Sequence, residues 1–494
     1  MDFTSTRDKN STKYTSAQVI KQGLANDGGL FVPTEIPKLN KEDFLSFDSL
    51  SYPELAATIL AKFLTDYSYA EILEDCENAY SNRSFPADVC PLKKVDDNTY
   101  SLELWHGPTC AFKDMALQIM PKLLSRALIK TGENRTALVL VATSGDTGKA
   151  ALEGYKDVPQ IKICVFYPKN GVSKVQELQM TTQKGSNVKV CSIEGNFDDI
   201  QTGVKQIFNN YEIIQDLDEK GFVLSSANSI NFGRLAPQIV YYIKAYCDLI
   251  STQEIEFGEK INVCVPTGNF GNILAAYIAK LMGLPINKLI CASNSNNILT
   301  DFLNTGSYDR NREFHLTMSP SMDILISSNL ERLLYLMCGA EQTSQYMQLL
   351  NENGFYKISE DIKKEIDKNF VGYFASESKT IATINKYYNS HNYLIDTHTA
   401  VAFSALESYR EEQNDFTKTV VASTASPYKF AKNVYQAIFG ESNLNDLEIL
   451  NALSKKTNTP IPAPLYELDK KIVNFNHSST PPNMYDEVLK FIEK

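Results

Sequence analysis

Three features of this 494-residue chain predict an α/β protein built on doubly wound parallel sheets. Short, continuous apolar runs such as Ala137 to Ala142, Ile161 to Tyr167 and Ile261 to Val265 fit strands buried on both faces. Between them the apolar residues fall at helical spacing, and that strand-helix alternation is what produces parallel sheets. Several strands run into polar loops that carry glycine at a helix start. Such loops are ready-made anion sites.

The bulk numbers narrow the function classes. At 43% hydrophobic and 22% charged residues, the chain is an ordinary globular one with room for several cores. A net charge of -11, without any Lys/Arg cluster, argues against nucleic acid as a partner. The nine cysteines are odd in number, widely spread and partly set in apolar strand-like runs, so they read as reduced thiols of a cytoplasmic protein. No apolar run nears the roughly 18 residues of a membrane span, and the start MDFTSTRDKN lacks a signal core. Without an HExxH pair or a CxxC, no metal centre is expected.

Taken in order, residues 1–95 combine short helical patterns (Ser16 to Ala25, Tyr52 to Tyr67, Tyr69 to Ala79) with the turn Asp27-Gly28-Gly29. Tyr100 to Leu104 alternates as a half-buried strand, which Gly107-Pro108 breaks. Thr109 is then expected to cap a helix running to Leu124. That places Lys113 in a first helical turn, where a cation opposes the helix dipole and the neutral amine, a nucleophile or base, is favoured. The loop after Ala142, Thr143-Ser144-Gly145-Asp146-Thr147-Gly148-Lys149, is not a P-loop. Thr143 stands where GxxxxGK needs its first glycine, and Ala150 where it needs Ser or Thr. Its hydroxyls and N–H groups still suit an anion.

Helices are expected over Ser173 to Gln183 and Asp198 to Asn210, with a strand at Val188 to Ile193. Asn228, Ser229, Asn231 and Arg234 precede an apolar helix, and a guanidinium fork with neighbouring amide and hydroxyl donors suits a phosphate. Gly268-Asn269-Phe270-Gly271-Asn272 joins a clear strand to a helix and brings backbone N–H groups to a helix N-terminus. A dinucleotide site would want a third glycine and an acid after LICAS, but the first acid is Asp301, so a single phosphate is expected rather than NAD. Thr343 to Lys386 reads as a charged, helical insertion. Asp396 and His398 precede a buried helix, with His398 expected to be structural. Thr419 to Ile438 repeats the strand, polar loop and helix.

The string HGPTCAFKD, His106 to Asp114, resembles the cofactor-lysine motif of threonine synthases, pyridoxal 5'-phosphate enzymes of the second fold type. Ser5 to Arg7 with GLANDGGLFVP, then PTGNFGN, SPSMDILISSNLERLLY and DTHTA, resemble further segments of that family. Cys110, Met115 and Thr397 depart from its pattern without removing a functional group. The resemblance implies that Lys113 is catalytic and holds the cofactor. It also implies that Gly268, Asn269, Phe270, Gly271 and Asn272 cradle the cofactor phosphate, that Thr424 meets the pyridine nitrogen, and that Asp146 belongs to the cofactor site. Thr143, Ser144 and Thr147 would take the substrate carboxylate, and Asn228, Ser229 and Arg234 the substrate phosphate.

The implied reaction, the last step of threonine biosynthesis, turns O-phospho-L-homoserine and water into L-threonine and phosphate by γ-elimination and β-addition. The implied architecture has a mainly helical domain at 1–95 and a smaller mobile α/β domain at 136–234. A large cofactor domain takes 96–135 and 235–494, with a helical insertion near 300–390, in a monomer or small homo-oligomer. Alternatives are a pyridoxal-phosphate-dependent phospholyase releasing a 2-oxo acid and a non-catalytic paralogue that binds the cofactor, the latter disfavoured by the intact lysine and loops. A nicotinamide oxidoreductase is disfavoured by the missing acid.

Overall fold

The computed structural model describes residues 1–493 and contains two main sheets. In the larger, the strand order is Phe370–Phe374, Ile286–Ser293, Ile261–Pro266, Thr419–Ser423, Thr99–Glu103, Leu92–Asp96. Neighbours pair in parallel except the last two, a hairpin closed at Asp97-Asn98. Ser423 lies opposite Glu103 and Val421 opposite Cys264, so three strands end level. The loops that follow them carry Lys113, Gly268 and Thr424. Two of these loops are also knitted together, since Phe112 N donates to the Thr424 carbonyl at 2.8 Å and Ser426 N to that of Cys110 at 3.0 Å.

The smaller sheet runs Ser478–Ser479, Val188–Ile193, Ile161–Pro168, Thr136–Ala142, Phe222–Ser225, all parallel. Leu138, Val139, Leu140 and Val141 are each at most 1% exposed, which is why this strand reads as a continuous apolar run. The end of the chain returns to this sheet. Ser478–Ser479 pairs with Val188–Ile193, and Met484, Val488, Phe491 and Ile492 pack into its core beside Ile200 and Val204.

Residues 1–95 hold the helices Ser16–Gln22, Lys41–Phe47, Tyr52–Ala61 and Tyr69–Ala79, with a small antiparallel pair, Phe3–Ser5 and Phe31–Pro33. Two local expectations are corrected. The helix expected from Thr109 to Leu124 is two pieces, Asp114–Leu117 and Met120–Lys130. Pro121 has no N–H for the Leu117 carbonyl four residues earlier, so the helical ladder is interrupted there. Within the stretch expected to be helical, Phe370–Phe374 forms an edge strand, a short apolar run between the helices Glu360–Asn369 and Glu377–His391. Among the described residues no helix is long and apolar enough to cross a membrane. All nine cysteines are free thiols, and eight are buried.

Candidate active site

The lysine loop folds back on an acid. Thr109 was expected to cap a helix, but its backbone N–H and its hydroxyl both donate to the Asp114 carboxylate, at 2.8 and 2.7 Å. Gly107 is required here because a Cβ would stand 2.6 Å from that of Asp114. Lys113 therefore sits at the cap position of a four-residue helix. Its amine donates to Ser321 Oγ at 3.3 Å, lies 3.8 Å from Asp146 Oδ2 and stands over the Phe112 ring at 4.9 Å. Burial lowers its pKa to about 8; Asp146 opposes that shift, and the charges of Arg234 and Lys429 add to it. Burial, not a dipole, is the main cause. The neighbouring thiol of Cys110 is pushed by burial up to about 12, so it is no nucleophile near neutrality.

Ser321 is placed by a histidine. Its backbone N–H donates to His398 Nε2 at 3.2 Å, which leaves the proton on Nδ1, donated to Asp396 Oδ2 at 2.7 Å. His398 is thus structural, one step removed from Lys113. Ser321 also bounds the glycine loop, because a Cβ on Gly268 would lie 2.7 Å from the Ser321 carbonyl oxygen. Phe270 holds this loop in a left-handed turn, φ 63°, just before the helix Gly271–Met282. The amide N–H groups of Gly268 to Asn272 have no protein acceptor among the described residues. Asn272 Oδ1 accepts from Tyr241 and Tyr242 at 2.7 and 2.5 Å, while its buried Nδ2 has no partner. Unmatched donors around a loop whose first glycine has no room for a side chain fit a phosphate.

Asp146 begins the helix Asp146–Tyr155 of the smaller sheet and accepts from Lys429 at 2.8 Å and Gln176 at 2.9 Å. Burial alone would raise its pKa, but Lys429 and Lys113 pull it well below the usual carboxylate range. Thr143 Oγ1 accepts from the N–H groups of Gly145 and Gly148 at 3.0 and 2.8 Å, so that hydroxyl holds the loop in shape. Ser144 and Thr147 are half-buried beside it, and Thr424 is buried after the 419–423 strand.

Arg234 is 4% exposed and has no carboxylate partner among the described residues. Its Nη1 donates to the Ala227 carbonyl at 2.9 Å, its Nε is buried without a partner, and burial lowers its pKa to about 10. Asn228 is half-buried nearby in the chain. Ser229 lies against the glycine loop, where its Oγ accepts from Asn329 Nδ2 at 3.3 Å. Asn231 turns away, donating to the Ile20 carbonyl at 2.9 Å.

Sequence reasoning missed four residues. Asn329 donates to the Asn269 carbonyl through its N–H at 3.1 Å and its Nδ2 at 3.0 Å. Arg332 donates to Asn329 Oδ1 at 2.5 Å and to the Phe31, Ile230 and Ser229 carbonyls at 2.9, 2.5 and 3.4 Å. Ser321 and Lys429 complete the set. The segment SPSMDILISSNLER carried a family resemblance but no role, and Lys429, between Tyr428 and Phe430, was an unflagged cation in an apolar setting. Away from the site, Cys191, His477 and Glu487 place their ligand atoms within 4.8 Å of one another. Glu487 is already matched there by Lys490 at 2.8 Å, His477 at 3.1 Å and Lys189 at 3.5 Å.

Two mainly parallel sheets, a buried lysine with a lowered pKa and unmatched donors nearby form a scaffold able to hold an anionic ligand beside an amine. Comparison with known proteins places it. Residues 2–80 match the model described as threonine synthase N terminus, 92–424 that of pyridoxal-phosphate dependent enzymes, and 399–477 that of threonine synthase, C-terminal. The chain is 38% identical over 430 residues to the threonine synthase of Pseudomonas aeruginosa, covering 86% of this chain and 88% of that one. It is 42% identical over 443 residues, 87% of this chain, to human threonine synthase-like 1, of whose length it spans 58%. The solved structure of pyridoxal-phosphate-bound threonine synthase from Brucella melitensis superposes with a TM-score of 0.87 at 36% identity, covering 100% of this chain and 98% of that one. The chain belongs to the threonine synthase family of pyridoxal-phosphate-dependent enzymes.

Proposed function

We propose that this chain converts O-phospho-L-homoserine and water to L-threonine and phosphate. The observation that carries the reading is the buried amine of Lys113, with a pKa of about 8, set between two groups of unmatched donors, the Gly268 to Asn272 loop and Arg234. Bound pyridoxal phosphate supplies an electron sink that acidifies the C–H bonds next to the substrate nitrogen. The N–H groups of Gly268, Asn269, Phe270, Gly271 and Asn272 hold its phosphate, and Thr424 hydrogen-bonds its pyridine nitrogen. Asp146 sets the charge beside Lys113.

Thr143, Ser144 and Thr147 receive the substrate carboxylate, and Arg234 with Asn228 and Ser229 the substrate phosphate. Lys113 takes a proton from Cα and then one from Cβ as phosphate leaves Cγ, returns a proton to Cγ, and, once water has added its hydroxyl at Cβ, returns one to Cα. Burial of the amine and its surroundings keeps bulk water from these steps. A small polar substrate and reduced thiols suit the cytoplasm. We assign the two sheets to a larger cofactor unit and a smaller, moving one, working as a monomer or small homo-oligomer.

The test is product analysis after incubating the cofactor-loaded protein with O-phospho-L-homoserine. Threonine and phosphate in equal amounts support the reading. A 2-oxo acid with phosphate and ammonia in place of threonine supports a phospholyase instead. No phosphate release contradicts both.

A further inference from the structure

Lys429 lies in the short turn Pro427–Phe430 after a strand of the larger sheet, and its side chain is fully enclosed. Its ammonium donates to Asp146 Oδ1 at 2.8 Å and to the Thr109 carbonyl at 3.0 Å. Asp146 begins a helix of the smaller unit, and Thr109 belongs to the lysine loop. One cation thus joins three segments that meet around Lys113.

The helix that Asp146 begins is held differently at its other end. A Cβ on Gly154 would lie 1.8 Å from the Leu117 carbonyl oxygen, so helix and lysine segment touch there backbone to backbone. Asp146 and Gly154 are separated by about 12 Å of helix. A rigid backbone contact at one end suits a pivot. An ion pair at the far end suits a contact that is made and broken, because burying two charges costs about as much as their attraction returns. On opening, water can replace Lys429 at the Asp146 carboxylate. Gln176 stays with Asp146 because both belong to the smaller unit. Gln179 also reaches the Thr109 carbonyl, but at 3.4 Å and without charge.

We propose that Lys429 is a positioning residue that latches the Asp146 end of the smaller unit over Lys113, bringing the carboxylate to 3.8 Å from the reacting amine. The inference rests on the proposed function only in taking Lys113 as the reacting amine. While Lys113 is engaged with the cofactor, Lys429 keeps Asp146 matched. When Lys113 is free and protonated, the same carboxylate stands ready for it.

Hydrogen exchange on the full-length apoprotein tests the latch without any turnover. Lys429→Gln should speed exchange at least tenfold in residues 143–155, while the strands at 261–266 and 419–423 keep wild-type protection. Asp146→Asn should do the same, the double variant should add nothing further, and Lys429→Arg should restore most of the protection. If Lys429→Gln does not fold, Asp146→Asn and Lys429→Arg give the same reading. Unchanged exchange at 143–155, or protection lost equally across both sheets, overturns the latch and leaves Lys429 an ordinary core residue. Failure of the product assay with this exchange pattern intact would instead count against the proposed reaction alone.

Discussion

At the scale of single residues, burial is what turns Lys113 from a surface cation into a usable amine. A pKa near 8 instead of 10.5 is a difference of 2.5, so near neutrality the neutral fraction is roughly 300 times that of an exposed lysine. In the apoprotein, acylation of Lys113 should therefore rise with pH through a midpoint near 8 and level off above it, and a midpoint near 10.5 would contradict this. Arg234 makes the second claim at this scale. Its orphaned Nε predicts that Arg234→Ala costs about 2 to 5 kcal/mol, roughly 30-fold or more in kcat/KM for the phosphorylated substrate. The visible band of bound cofactor should be retained, and steady-state kinetics beside the absorbance spectrum separates the two effects. Lys113 was legible because strand, turn and helix pattern surround it. Ser321 and Lys429 were not, since they reach the lysine loop from 208 and 320 positions away and no local pattern encodes such contacts.

At the scale of elements, the glycine loop owes its shape to its supports as much as to its own residues. Its strand, loop and helix were plain in the sequence, whereas the Asn329 and Arg332 scaffold was hidden at the cap and first turn of the helix Leu330–Asn353, where nothing local marks it. Arg332 is 1% exposed, and it ties the N-terminal Phe31 carbonyl to the segments bearing Ser229 and Asn329. Arg332→Met should weaken cofactor binding by about 2 kcal/mol, roughly 30-fold, the worth of a charged hydrogen bond to a positioned partner. Titrating apoprotein with pyridoxal phosphate measures it. An unchanged Kd with only a lower Tm would make Arg332 a fold residue with no hold on the loop. The interrupted helix after Lys113 was foreseeable from Pro121 alone, and the expectation of a continuous helix gave the apolar spacing too much weight against the missing N–H.

At the scale of the whole molecule, alternating strands and helices were enough to foresee parallel sheets, but not the return of residues 478–492 to the smaller one. That segment is too short and proline-rich to read as a strand, and its pairing partner is almost 300 positions away. Met484 is 1% exposed in this core, so Met484→Ala should cost about 2 to 5 kcal/mol in denaturant unfolding. A cost near zero would make the chain end a loose appendage. All three scales meet in the proposed role of Lys113, whose amine the loops after the level strands would present to the cofactor aldehyde. Borohydride reduction of the cofactor-loaded protein, followed by peptide mapping, tests it most directly. A pyridoxyl group on Lys113 alone is the expected result, and a pyridoxyl group on Lys149, Lys429 or no lysine at all would contradict that role.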